Sequence, residues 1–181
     1  FNEYIAQLKD EGRLGYALSV QQVCNSLLKY RGHLDIYFSE IDVNWLRAYE
    51  SWLRRCDLAD NTIGIRFRTL RAVYNLALAE GIVKVDCYPF KKYKVSKLHK
   101  ETAKRAITKE QVKQVIEYDV SGSRFYKRLA VDMFTFSYLM GGINFTDMAC
   151  LTDKNIEGER LVYVRQKTKK LIMLPLQEKA I

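Results

Sequence analysis

A stripe of apolar residues within residues 60–81 limits the folds open to this chain. Its members recur every three or four residues, the spacing that places side chains on one face of an α-helix: Ile63, Phe67, Leu70, Tyr74 and Ala77. The segment starts after Asp60, and Gly81 ends it, as a helix stop signal does. The pattern predicts an amphipathic helix.

Three shorter segments before it follow the same pattern. Residues 2–12 form the first predicted helix. The second starts with a capping box at Ser19 and stops at Gly32. Asp42 or Asn44 caps the third, which turns tryptophan, leucine and tyrosine side chains inward. Short helices with tight connections predict a small antiparallel four-helix bundle.

Residues 84–104 differ in composition. Lysines dominate this segment, Asp86 and Glu101 are its acidic residues, and Pro89 interrupts any helix. Because few apolar residues follow Val95, the segment is predicted to be an extended basic linker.

The remainder of the chain predicts a mixed domain. Thr108 and Gln111 form a capping box that begins a helix through about residue 118. A longer helix over 124–139 ends at a pair of glycines, and a short helix follows over 146–151. We therefore expect these three helices to precede any strands.

After residue 151 the apolar period changes to two. This pattern predicts a hairpin with strands over 160–166 and 171–176 and a turn over 167–170. A short strand is predicted before it, over 155–157. The predicted fold is mainly α: a four-helix bundle followed by an α+β domain with a small antiparallel sheet. The predicted domains are residues 1–83, a linker over 84–104, and 105–181.

Composition narrows the class of function. The net charge of +9 favours a polyanionic partner, most often nucleic acid. Phosphate-loop, dinucleotide-binding and zinc-protease motifs are missing, and the four cysteines are scattered. Because no apolar run reaches the roughly 18 residues of a membrane helix, we expect no membrane partner. The missing motifs and the scattered cysteines predict no metal, no cofactor and reduced cysteines. We also expect a cytoplasmic, bacterial location.

Basic residues on the fourth predicted helix form a candidate DNA-binding face. Arg68 and Arg71 share one side of the helix, with Arg66 beside them. Asn61 and Thr62 lie at the helix start, where backbone N–H groups favour phosphate. The basic residues of the linker region complete the candidate set: Lys91, Lys92, Lys94, Lys97, Lys100, Lys104 and Arg105. The alternative is a charged face that only contacts water.

Four segments together resemble the tyrosine recombinases of the phage-integrase type. The segments are Asp60-Asn-Thr-Ile with Arg68-Thr-Leu-Arg71 through Pro89-Phe90, then Arg105-Ala-Ile-Thr-Lys-Glu-Gln111, then Gly142-Ile-Asn-Phe-Thr-Asp147-Met-Ala-Cys-Leu151, and last Arg165-Gln-Lys167-Thr168. The resemblance implies a SAM-like core-binding domain, a truncated catalytic domain, and a clamp around double-stranded DNA. It further implies the integrase of a prophage or transposon, which assembles as a tetramer on DNA.

The resemblance also implies the chemistry. A tyrosine attacks a DNA phosphodiester and forms a 3′-phosphotyrosyl link, while two arginines stabilise the phosphate oxygens. Lys167 matches the lysine that acts as general acid. None of the twelve tyrosines matches the nucleophile, so the remaining catalytic residues are expected beyond Ile181.

Asn144 occupies the position of the first catalytic arginine and cannot supply a charged fork to phosphate. Asn144 also suits a helix N-cap, with Asp147 as a structural acid in the first turn. Arg165 is one candidate to substitute for the first catalytic arginine, and it is also a candidate DNA-binding residue.

Two other functions compete with recombination. A catalytically inactive relative that binds DNA as an architectural or regulatory factor agrees with the missing arginine. A basic RNA-binding or assembly protein would need aromatic stacking platforms on a sheet, and the sequence has no such pattern.

Overall fold

A computed structural model describes residues 1–103 and 106–177 and divides the chain into two compact units. We call Phe1–Ala103 the helical unit and the part described over 106–177 the mixed unit. Each unit has its own core. The described elements confirm a mainly helical fold with a small antiparallel sheet.

Helix α1 spans Asn2–Asp10 and helix α2 spans Leu14–Arg31. The predicted start of the second helix at Ser19 is wrong, because the chain is already helical from Leu14 with Arg13 as N-cap. The Ser19 hydroxyl instead donates to the Gly15 carbonyl oxygen at 3.2 Å, one turn earlier. A serine inside a helix can satisfy its hydroxyl in this way, so a capping pattern alone does not fix a helix start.

Helix α3 spans Val43–Arg55, and of the two predicted caps Asp42 is the N-cap. Its carboxylate accepts a hydrogen bond from the Trp45 N–H at 2.7 Å. Helix α4 spans Asp60–Ala79, and the predicted apolar stripe of this helix is fully buried.

Residues 84–103, which we call the strap, are not extended as the sequence predicted. They form three short 3₁₀ turns over Val85–Cys87, Pro89–Lys91 and Val95–Leu98. Apolar side chains alternate irregularly with the lysines and are buried in the core of the helical unit: Phe90, Tyr93, Val95 and Leu98. Burial of these apolar side chains favours docking of the strap. The lysines do not oppose it, because their charged ends remain in water.

The strap approaches α4 closely at a glycine. A Cβ atom placed on Gly64 would lie 3.4 Å from the Cβ of Leu98 and 3.4 Å from its carbonyl oxygen. Both distances correspond to van der Waals contact, so the last turn of the strap lies directly on the helix at Gly64.

The mixed unit begins with helix α5, Lys109–Ile116, and the predicted capping box of Thr108 and Gln111 is present. Helix α6 spans Phe125–Leu139 and helix α7 spans Phe145–Met148. Between α6 and α7, Gly141 and Gly142 have φ of 65° and 84°, left-handed values that favour glycine and end the longer helix.

Three antiparallel strands follow in the order β1-β2-β3: Ile156–Glu157, Arg160–Val164 and Leu171–Pro175. Strands β2 and β3 pair from Arg160 opposite Pro175 to Val164 opposite Leu171. Alternate residues of β2, Leu161 and Tyr163, are buried with Met140 and Ile143 in a small core. This burial packs β2 against the residues that follow α6.

No helix among the described residues has the length and apolarity needed to cross a membrane.

Candidate functional site

The three arginines predicted for DNA binding on α4 fall into two groups. Arg68 and Arg71 are exposed, whereas Arg66 is half-buried and donates a hydrogen bond to the Ser26 hydroxyl of α2. The same hydroxyl oxygen accepts from the Tyr49 phenol at 2.7 Å. Arg66 thus joins α2 to α4, and its guanidinium is partly engaged within the protein.

Arg68 and Arg71 lie along the side of α4 that the strap covers. The Arg71 Nε donates to the Tyr88 hydroxyl at 3.1 Å. The Arg68 guanidinium lies close to Gly64, where Leu98 of the strap also packs. These arginines and the strap therefore form one continuous surface of the helical unit.

Asn61 ties the end of the strap to the start of α4. Its amide nitrogen donates to the Lys100 carbonyl oxygen at 2.9 Å, and its amide oxygen accepts from the Lys100 N–H at 2.9 Å. Both polar groups of the side chain are used in this pairing. Asn61, predicted to bind DNA, is placed here as a residue that positions the strap, whereas Thr62 beside it is exposed.

Glu50 of α3 forms a second attachment of the strap. Its carboxylate accepts from the Tyr93 hydroxyl at 2.6 Å and from the Lys97 ammonium at 2.6 Å, and it pairs with Arg54 at 3.0 Å. Burial opposes ionisation of Glu50, but the hydrogen bonds from Lys97, Tyr93 and Arg54 outweigh it and lower the pKa of the carboxyl group. Burial, and then the bond to Glu50, raise the pKa of the Tyr93 phenol.

Lys97 is consequently ion-paired within the protein. Four other predicted lysines of the strap are exposed and form no ion pair with the described residues: Lys91, Lys92, Lys94 and Lys100. Lys104 and Arg105 lie outside the described residues. The strap that carries these lysines packs on α4, the helix that carries Arg68 and Arg71.

In the mixed unit, Lys167 lies in the turn between β2 and β3. The turn is closed by the Arg165 N–H, which donates to the Lys170 carbonyl oxygen at 2.8 Å, and by the Lys169 N–H, which donates to the Arg165 carbonyl oxygen at 2.8 Å. Lys167 is exposed, and its ammonium has no hydrogen-bond or ion-pair partner within residues 106–177. It is therefore available to a ligand.

Asn144 is the N-cap of α7, as its position suggested. Its amide oxygen accepts from the Asp147 N–H at 3.0 Å, and its amide nitrogen donates to the Asp147 carboxylate. Asp147 is 2% exposed and also accepts from the Gln166 N–H of the turn at 2.8 Å. Both polar groups of Asn144 are therefore engaged inside the unit, and Asp147 connects α7 to the turn that carries Lys167.

Sequence reasoning missed Glu50 and the docking role of Tyr93. A signal for Glu50 exists: it lies among Leu46, Tyr49 and Leu53, which form the buried stripe of α3. A carboxylate beside a buried stripe needs partners, because an unpaired buried charge is strongly unfavourable. The strap provides those partners.

The architecture is that of a small helical bundle of SAM-like type, extended by a basic strap and joined to an α+β unit. A family model described as the phage integrase SAM-like domain matches residues 1–95, which is more than half of the chain. The chain therefore belongs to the family of SAM-like domains found at the N-terminal side of phage integrases, which are tyrosine recombinases. This membership confirms the resemblance seen in the sequence. Neither the curated proteins nor the solved structures include a match to the chain.

Proposed function

We propose that this chain is part of an enzyme for site-specific DNA recombination, an integrase that acts through a 3′-phosphotyrosyl intermediate. Residues 1–83 serve as the core-binding domain, the strap adds to its DNA surface, and residues 105–181 supply the first part of the catalytic domain. The observation that carries the proposal is the packing of the strap on α4, which brings the exposed lysines of the strap to the helix that carries Arg68 and Arg71. In the cell we place it in the bacterial cytoplasm, as the integrase of a mobile element that assembles as a tetramer on DNA.

The surface suits the phosphate backbone of a duplex. Its exposed cations are Arg68, Arg71, Lys91, Lys92, Lys94 and Lys100. Phosphate contacts of this kind give affinity without sequence readout, and each one releases condensed counterions. If each of these cations contacts one phosphate, the logarithm of the binding constant falls with the logarithm of salt concentration with a slope of about −5.

Fluorescence anisotropy with a labelled duplex at several KCl concentrations tests this binding surface. Arg68→Ala is expected to reduce the magnitude of the slope by about 0.9 and to weaken binding to unrelated sequences equally. Arg47→Ala is the matched control, because Arg47 is an exposed arginine on α3, a different helix of the same unit. An equal loss for both variants, or a slope near zero for the unaltered chain, would contradict the proposed surface.

For the chemical step we assign Lys167 as the general acid. Attack on the phosphorus by the phenolate oxygen of the tyrosine breaks the bond to the 5′ oxygen. The Lys167 ammonium donates a proton to that oxygen as it leaves and becomes a neutral amine. Exposure on a turn that is fixed to α7 gives Lys167 access to a bound strand. No tyrosine of these residues is assigned as the nucleophile.

The assignment is tested with the natural gene product and a DNA strand whose 5′ bridging oxygen is replaced by sulfur. Lys167→Ala is expected to slow covalent capture of ordinary DNA by about a hundredfold or more. The sulfur substrate should restore the rate, because a thiolate leaves without a proton. Equal slowing on both substrates would refute the acid role. Tight DNA binding with no covalent product from the unaltered protein would instead support a catalytically inactive DNA-binding relative.

A further inference from the structure

Asp147 is a buried carboxylate at the base of the β2–β3 turn. It is 2% exposed and accepts hydrogen bonds from the Gln166 N–H and from the Asn144 amide. A buried charge of this kind requires compensation by hydrogen bonds and by an opposite charge. The cation that the structure places nearest to it is Arg165.

The Arg165 Nε lies 3.9 Å from the Asp147 Oδ2, and the Arg165 side chain is 46% exposed. The Nε edge of the guanidinium therefore faces the carboxylate. The terminal nitrogens have no hydrogen bond or other ion pair within residues 106–177. A guanidinium that is held at one edge and open at the other can bind a second anion with two parallel N–H groups.

The turn keeps Arg165 near Lys167. The two residues are two positions apart, so their Cα atoms lie within about 7 Å of each other. Backbone hydrogen bonds of Arg165 with Lys169 and Lys170 close the turn. The hydrogen bond from the Gln166 N–H to the Asp147 carboxylate joins the turn to α7. Arg160 begins β2, the strand that ends one residue before Arg165, and lies about 17 Å from Arg165 along the backbone.

We propose that Arg165, oriented by Asp147, binds the non-bridging oxygens of the DNA phosphate that lies beside Lys167. Asp147 acts as the positioning residue: it accepts a hydrogen bond from the Gln166 N–H of the turn, and its charge attracts the guanidinium across 3.9 Å. Asn144 bonds to Asp147 through both its amide oxygen and its amide nitrogen, and it carries no charge to offer a phosphate. The inference rests on the proposed function, because it requires a phosphodiester at the turn.

The salt dependence of duplex binding tests the phosphate contact. Arg165→Gln is expected to reduce the magnitude of the slope by about 0.9 and to weaken binding at low salt by about tenfold. Arg165→Lys should preserve the slope and still weaken binding, because an ammonium lacks the planar fork. The matched control is Arg160→Gln, the same chemical change at the other end of β2, which should affect the slope less.

The NMR signal of the Arg165 Nε–H group tests the positioning role. It should shift when a short duplex is added to the chain, and Asp147→Asn should move it already in the free protein. If Arg165 only neutralises Asp147, Arg165→Gln will lower the stability of the unit and leave the salt slope unchanged, which would overturn the inference. If the unaltered chain does not bind duplex DNA, the proposed function fails together with the inference. Binding with a normal slope in Arg165→Gln refutes the inference alone.

Discussion

Leu98→Ala tests whether the strap belongs to the core of the helical unit. Leu98 is 1% exposed and packs in the main core cluster. Truncation of a fully buried leucine removes favourable burial and leaves a cavity, and it costs about 2–5 kcal/mol of unfolding free energy. An extended linker residue of the same type would cost less than about 0.5 kcal/mol.

Urea unfolding followed by tryptophan fluorescence measures this difference. The two tryptophans of the chain, Trp45 and Trp52, both lie in α3, so the signal reports the helical unit. With a urea m-value of about 1–3 kcal/mol per molar, the midpoint should fall by about 1 M or more. Lys94→Ala is the control, because Lys94 is an exposed residue of the same strap and should leave the midpoint nearly unchanged.

An unchanged midpoint in Leu98→Ala would refute the docking of the strap. The surface proposed for DNA would then lose its basis, since the strap lysines would no longer be fixed beside Arg68 and Arg71. If Leu98→Ala abolishes folding, the milder Val95→Ala truncation of a residue 6% exposed provides the same comparison.

Two further predictions concern the attachments of the strap. Because its hydrogen bonds lower the pKa of Glu50 in the folded chain, its contribution to stability is present above the unfolded pKa of about 4.3 and is lost as pH falls through the folded pKa. Glu50→Gln should therefore destabilise the chain at pH 7, and its difference from the unaltered protein in urea unfolding should shrink as the pH falls through the folded pKa; a constant difference would contradict the ion-pair role. Asn61→Ala removes two hydrogen bonds to Lys100 and should cost about 1–3 kcal/mol. Hydrogen exchange should show faster exchange of the Lys100 amide, and unchanged protection would refute the pairing.

Much of the local structure could be predicted from the sequence. The apolar stripe of α4, the Thr108 capping box, the Asn144 cap and the β2–β3 hairpin depend on residues that are close in the chain. Helical period, capping and strand alternation act over a few residues, so the sequence contains their full signal. The resemblance to phage integrases also rests on short segments of the sequence.

The strap shows where local reasoning fails. Its apolar residues follow no helical or strand period, and the lysines between them suggested a solvated linker. Their burial depends on a surface formed by α3 and α4, which exists only after the bundle has folded. The predicted helix start at Ser19 is wrong for a related reason, because the carbonyl oxygen one turn earlier accepts the Ser19 hydroxyl inside α2.

By itself, the sequence determined the helices, the hairpin, the excess of basic charge and the candidate lysine of the turn. Only the tertiary structure decided which cations are free. Lys97 pairs with Glu50 47 positions away, Arg66 contacts Ser26 40 positions away, and Asn61 pairs with Lys100 39 positions away. Partners so distant in the chain meet only through packing of the core, and each hydrogen bond or ion pair made there occupies donors that could otherwise contact DNA.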